Sequence, residues 1–108
     1  MSLFIESELL SLSAFFEFIT GKIFKILPLR EDENESIYEY LDSLRIEMTG
    51  AINTFPKLHN SYEFMTLVNT INYLIGNEFD VPTCKREVFK MLKTVNLLQL
   101  KAGGDEDA

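Results

Sequence analysis

One cysteine, one histidine, three prolines and five glycines among 108 residues leave little material for several kinds of protein. The lone Cys84 can close no intramolecular disulfide and anchor no cysteine-based metal knot, so a reducing compartment is its expected home. With 46% apolar and 25% charged residues, collagenous, disulfide-rich and disordered classes are excluded. Bases are scarce as well: ten Lys plus Arg face seventeen Asp plus Glu, a net charge of −7. Phosphate-driven affinity needs clustered positive charge, so no nucleic-acid partner is expected. Long hydrophobic runs are missing near the N-terminus, where the longest uncharged stretch, Leu9 to Phe16, is eight residues and is closed by Glu17. Spanning a bilayer takes about 20. The opening residues are apolar, but they lack a basic region and include Glu6 and Glu8, unlike a signal peptide. The expectation is a soluble, cytoplasmic protein with no membrane partner, in which the Asn34-Glu35-Ser36 glycosylation sequon is chance.

What is present is helical periodicity. Ile5, Leu9, Leu12, Phe16, Ile19, Ile23 and Ile26 recur at spacings of four and three, the seam of an amphipathic helix packed in a bundle. Pro28 is expected to stop that helix, and Asn34 to cap the next. The second seam is Ile37, Leu41, Leu44, Met48, Ala51 and Phe55, ended by Pro56; the third is Phe64, Val68, Ile71 and Ile75, with Leu67 and Leu74 beside it. Gly76-Asn77 offers a left-handed stop. Asp80 or Thr83 caps a fourth helix with the stripe Cys84, Val88, Met91, Val95 and Leu98. Connections this short force neighbouring helices to run antiparallel. The predicted fold is all-α, an up-down-up-down four-helix bundle with helices at about 5–27, 35–55, 61–75 and 83–101, in one domain over 1–101 followed by a flexible acidic tail at 102–108. No segment alternates with a period of two, and no Asn-Gly or Asp-Gly hairpin turn occurs.

The chemistry-bearing patterns are thin. A di-metal bundle needs inward glutamates and paired Glu-x-x-His motifs, but the single His59 follows Phe55-Pro56-Lys57-Leu58 in a connection. Cys84 falls on an apolar stripe and reads as a small buried hydrophobe, although Lys85 and Arg86 beside it would lower its pKa if it were exposed. Asp32-Glu33-Asn34-Glu35-Ser36 imitates the start of a calcium loop, yet Ile37 stands where glycine is required and Ser43 where the bidentate Glu belongs. Gly103-Gly104 has no helix after it to cradle a phosphate. Accordingly no catalytic residue, metal ligand or cofactor is expected, and the protein is read as a non-enzyme.

Two surfaces stand out instead. Between Arg30 and Glu47 seven acids outnumber two bases, whereas Met48 to Lys101 carries six bases and four acids, with Lys85, Arg86, Lys90, Lys93 and Lys101 on the fourth helix. Glu35, Glu39 and Asp42 fall on one face of the second helix. That stripe is either a solvated face or a dock for a basic partner. The basic fourth helix would complement it, within one molecule or between two. The first helix carries Phe4, Leu10, Phe15, Phe18 and Phe24 beyond its seam, which makes it either the most buried helix or the joint of a homodimer or another protein complex. In length and helix order the chain resembles small bacterial immunity or inhibitor bundles, a resemblance of size and class that carries no residue across. The leading expectation is a protein acting by protein contact, homodimeric through helix one, with partner or dimer contacts at Phe4, Phe15, Phe18, Glu35, Glu39 and Asp42. Alternatives are an inhibitor or immunity-type factor capturing a basic protein through the acidic stripe, and a small-molecule-binding bundle with a pocket between its helices.

Overall fold

The computed structural model describes the backbone of residues 2–104 and the side chains of residues 12–101. Helix α1 runs Ser2–Phe24, a short α2 Ile26–Glu31, α3 Ile37–Thr54, α4 Tyr62–Gly76 and α5 Val81–Gly104, with a 3₁₀ turn at Pro56–Leu58 between α3 and α4. The described residues contain no strand. The described seams turn inward: Leu12, Phe16, Ile19, Ile23 and Ile26 join Ile37, Leu41, Leu44, Met48, Ala51, Phe64, Val68, Ile71, Cys84, Val88, Met91, Val95 and Leu98 in one core, with Phe55 and Ile75 partly buried against it. Ile5 and Leu9 lie outside the described side chains.

Pro28 does not simply stop the first helix. Its ring collides with the carbonyl four residues back, that of Phe24, and Phe24 is where α1 ends. Proline itself sits in the first turn of α2, where its missing N–H would have had no helical acceptor. The chain thus breaks at Lys25 and carries on as a further helical turn. The end of α2 closes through the Asn34 amide to the Leu29 carbonyl (3.0 Å) and the Glu33 amide to the Arg30 carbonyl (3.1 Å), with Glu33 in the left-handed region at φ 54°. This closure ordinarily takes glycine.

Two helix ends are closed differently from expectation, and the cap of α5 falls on one of its two expected residues. Asn34 caps nothing directly: its Oδ1 accepts from the Ser36 amide (2.8 Å), a turn that leads into α3, which starts at Ile37. Asn77 ends α4 in extended conformation (φ −138°, ψ 150°), because its Nδ2 donates to the Tyr73 carbonyl (2.8 Å) and relieves that group without a left-handed residue. On α5 the cap is Asp80, whose Oδ1 accepts from the Thr83 amide (2.9 Å). Ser61 caps α4 by accepting from the Phe64 amide (3.1 Å). The α5 backbone stays helical to Gly104, into the segment assigned to the tail; residues 105–108 lie outside the described part.

α5 packs on α1, α2 and α4, while α3 packs on α4. Cross-links pin specific levels: the Ser13 hydroxyl donates to Gln99 (3.1 Å), the Cys84 thiol lies 4.0 Å from the Ile26 carbonyl, and the Tyr40 hydroxyl donates to the Lys22 carbonyl (2.7 Å). Lys101 donates to Glu63 (2.7 Å).

Candidate functional site

At one end of the molecule the close of α2, the start of α3 and the α4–α5 connection surround an open groove of about 760 Å³. Phe79, the lone aromatic of that connection, is 6% exposed. The Tyr38 ring meets it edge-on (6.0 Å between centroids, 75°), and the Arg30 guanidinium stacks 5.6 Å above it while Nη1 donates to its carbonyl (3.3 Å). Glu31, Glu33, Glu78, Asp80 and Val81 complete the lining. Hydrogen bonds from the Thr83 side chain and amide hold the Asp80 carboxyl below its ordinary value. Four carboxylates thus rim an aromatic floor whose single guanidinium is already stacked. No three His, Cys, Asp or Glu among the described residues converge enough to hold a metal ion. Chemically, the groove suits an ammonium or guanidinium group, which gains from both the negative field and the ring faces.

Of the expected acidic stripe only Glu39 and Asp42 lie on α3, which starts at Ile37; Glu35 stands in the turn that precedes it. Glu35 and Glu39 are exposed and joined by no ion pair among the described residues, while Asp42 accepts from Arg45 Nε (3.0 Å) and Nη2 (2.6 Å). Four residues beyond Asp42 the same face carries Ile46, 55% exposed.

The aromatic residues of α1 divide. Phe15 is half-buried against the core, its ring 5.8–6.4 Å from those of Phe16, Phe18, Phe55 and Phe64. Phe18 and Phe24 are exposed, with the Lys22 ammonium 5.2 Å over the Phe18 ring. Phe4 lies outside the described side chains.

Complementary charge between the second and fourth sequence helices, now α3 and α5, finds no outlet within one molecule. No ion pair among the described residues joins them, because α3 packs on α4 while the bases of α5 point outward. Glu87, almost buried, is held by Arg86 (3.2 Å) and Lys90 (3.8 Å) of its own helix. Around it α5 exposes Phe89, Leu97 and Leu100 among Lys85, Arg86, Lys90 and Lys93.

Cys84 is buried, and burial pushes its thiol up to about 11. A protonated, enclosed thiol packs; it does not attack. His59 is exposed beside the 3₁₀ turn. A recess of about 240 Å³ above Leu12, Phe16, Leu58 and Leu98 is edged by the Lys101–Glu63 pair, and is smaller than the several hundred cubic ångströms of ordinary ligand sites. The α1–α5 groove of about 390 Å³ is lined by Glu17, Thr20, Phe24, Leu92, Asn96 and Gln99. No described helix is long and apolar enough to cross a membrane.

Arg30, Tyr38, Glu78, Phe79 and Asp80 were not picked out as a site by sequence reasoning. The available signal was Phe79 itself, a large apolar residue in a polar connection. Comparison with protein-family models, curated proteins and solved structures finds no match for this chain.

Proposed function

We propose that this chain is a non-enzymatic protein-binding module of the cytoplasm, an up-down-up-down four-helix bundle whose acidic end groove and α3 stripe dock a basic protein surface. Ser13 with Gln99 and Ile26 with Cys84 pair in opposite senses along α1–α2 and α5, and Glu63 with Lys101 joins the start of α4 to the end of α5, which supports antiparallel α1–α5 and α4–α5 neighbours. The observation that carries the docking role is the groove: carboxylates of Glu31, Glu33, Glu78 and Asp80 around Tyr38 and Phe79, with Glu35 and Glu39 exposed close by in the chain. Acidic residues serving only solubility need no aromatic floor. Titration with decalysine tests this. Binding in low salt that weakens at least tenfold when Glu35, Glu39 and Asp42 are changed to Lys is expected; affinity unchanged in that triple variant refutes it.

A second reading, a homodimer joined through α1, draws on Phe18 and Phe24, which are 44% and 57% exposed. Phe18→Glu should then dissociate the dimer while the far-UV circular dichroism stays helical.

A further inference from the structure

We infer that the basic surface docking on the α3 stripe is supplied by a second copy of the same chain, through the outward face of α5. This rests on the reading above and names the partner of that surface.

The α5 face is unpartnered and mixed in a definite order. From the N-terminal side come Lys85, Arg86, Lys90 and Lys93, enclosing Phe89, and then Leu97 and Leu100. Phe89 is 53% exposed, Leu97 51% and Leu100 63%. At 100° per residue, Phe89, Lys93, Leu97 and Leu100 share one outward arc. The nearest acid on this helix, Glu87, is turned under and neutralised by Arg86 and Lys90. So the face presents positive charge and apolar area with no exposed carboxylate.

The α3 face is its counterpart in the same order: Glu35, Glu39 and Asp42 first, then exposed Ile46. From Glu39 to Ile46 and from Lys90 to Leu97 is about 10 Å along a helix in each case, and Glu35 stands in the turn ahead of α3. Set side by side in the same direction, acids meet bases over the first turns and Ile46 meets Leu97. Each face alone leaves apolar side chains in water; joined, Ile46 and Leu97 cover each other.

Within one molecule α4 lies against both helices, so the two faces cannot meet there. Each copy therefore offers α3 to one neighbour and α5 to another. Such a contact is heterologous and builds chains or rings, unlike a self-matched two-fold dimer.

Sedimentation of the full chain tests this. In about 50 mM NaCl the mass should rise above 12.5 kDa with concentration up to ~200 µM, and fall back in about 500 mM NaCl as the charges are screened. The variants Phe89→Glu/Lys93→Glu and Glu39→Lys/Ile46→Lys alter exposed positions only, and each should sediment as a monomer with unchanged helicity. If either loses helicity, Lys93→Glu and Glu39→Lys alone take their place. An equimolar mixture of the two should reassociate to at least twice 12.5 kDa, because one partner keeps a working α5 and the other a working α3, and the two reversed faces are themselves opposite in charge. A wild type that stays monomeric, variants that still associate, or a mixture that stays monomeric each overturns the inference. Decalysine separates its failure from that of the docking reading: a monomeric wild type that still binds decalysine through α3 sinks self-association alone, and loss of both sinks both. Wild-type monomer bound to phosphatidylserine vesicles through Phe89 and Lys93 would assign the α5 face to lipid and overturn the inference as well.

Discussion

Truncating Phe15 and Phe18 separately decides whether the aromatic excess of α1 belongs to the core. Removing a fully buried phenylalanine ring costs roughly 3–5 kcal/mol. Phe15 is only half-buried, which about halves that figure, but its ring meets four others at 5.8–6.4 Å, and an aromatic pair adds about 0.5–1.5 kcal/mol beyond area. Phe15→Ala should therefore cost about 2–3 kcal/mol. Phe18 is 44% exposed and has one ring neighbour, so Phe18→Ala should cost about 1 kcal/mol or less. At roughly 4–8 °C per kcal/mol for a domain near this size, Tm falls by about 10–20 °C in the first variant and by less than ~8 °C in the second. Thermal and urea melts followed by circular dichroism measure both, with the urea m-value unchanged. A double-mutant cycle of Phe15 with Phe64 should return a coupling of about 0.5–1.5 kcal/mol. Equal losses in the two variants, or a Phe15→Ala cost below ~0.5 kcal/mol, would refute placing Phe15 in the core.

Four further outcomes follow from particular contacts. Ser61→Ala removes the cap of α4 and should lower stability by about 1 kcal/mol in urea melts. Glu33→Gly relieves the left-handed position that closes α2 and should raise stability by about 0.5–1 kcal/mol, while weakening decalysine binding through loss of a groove carboxylate. On the alkaline side, the Cys84 thiol is raised from 9.0 to about 11 by burial, and the Tyr40 hydroxyl is raised by burial and then by Glu47. With folded values above unfolded ones, both contribute stability that is complete at neutral pH and lost on the alkaline side; for Cys84 the loss begins near pH ~9, ends as pH climbs through about 11, and amounts to at most about 2–3 kcal/mol; Cys84→Ala should shallow that decline in urea midpoints against pH. On the acid side, Asp80 is lowered by Thr83 and Glu63 by the hydrogen bond from Lys101. Their stabilisation holds above the ordinary carboxylate range and is lost as pH falls through the lowered values, so Asp80→Asn should flatten the acid decline in the same series.

The helices were legible because their cause is local. Spacings of four and three bring side chains to one face whatever the rest of the chain does, and Leu12, Phe16, Leu41, Met48, Ile71, Met91 and Val95 are buried for that reason. Helix ends were less legible, because several solutions compete for the same unpaired groups. Asn77 had a side-chain amide that reached Tyr73 and so needed no left-handed turn. The effect of Pro28 was displaced by four residues, since its steric conflict falls on the Phe24 carbonyl and not on its own position.

The groove was hidden for a different reason. Phe79 belongs to no periodic pattern, and its burial depends on Arg30, 49 residues earlier, and on Tyr38 from a third element. Summed charge identified Glu31, Glu33, Glu35, Glu39 and Asp42 as an acidic segment, but a sum has no direction. It could not say that α4 would lie against both α3 and α5 and leave the acid and basic helices without each other. Once that packing is known, the charge separation has a consequence that composition lacks: a molecule with opposite charge on two separated faces attracts its own kind more strongly as salt is removed. A protein whose −7 serves only solubility repels its own kind more strongly under the same dilution. The sign of the salt dependence of self-association therefore distinguishes the two uses of the same seventeen acids.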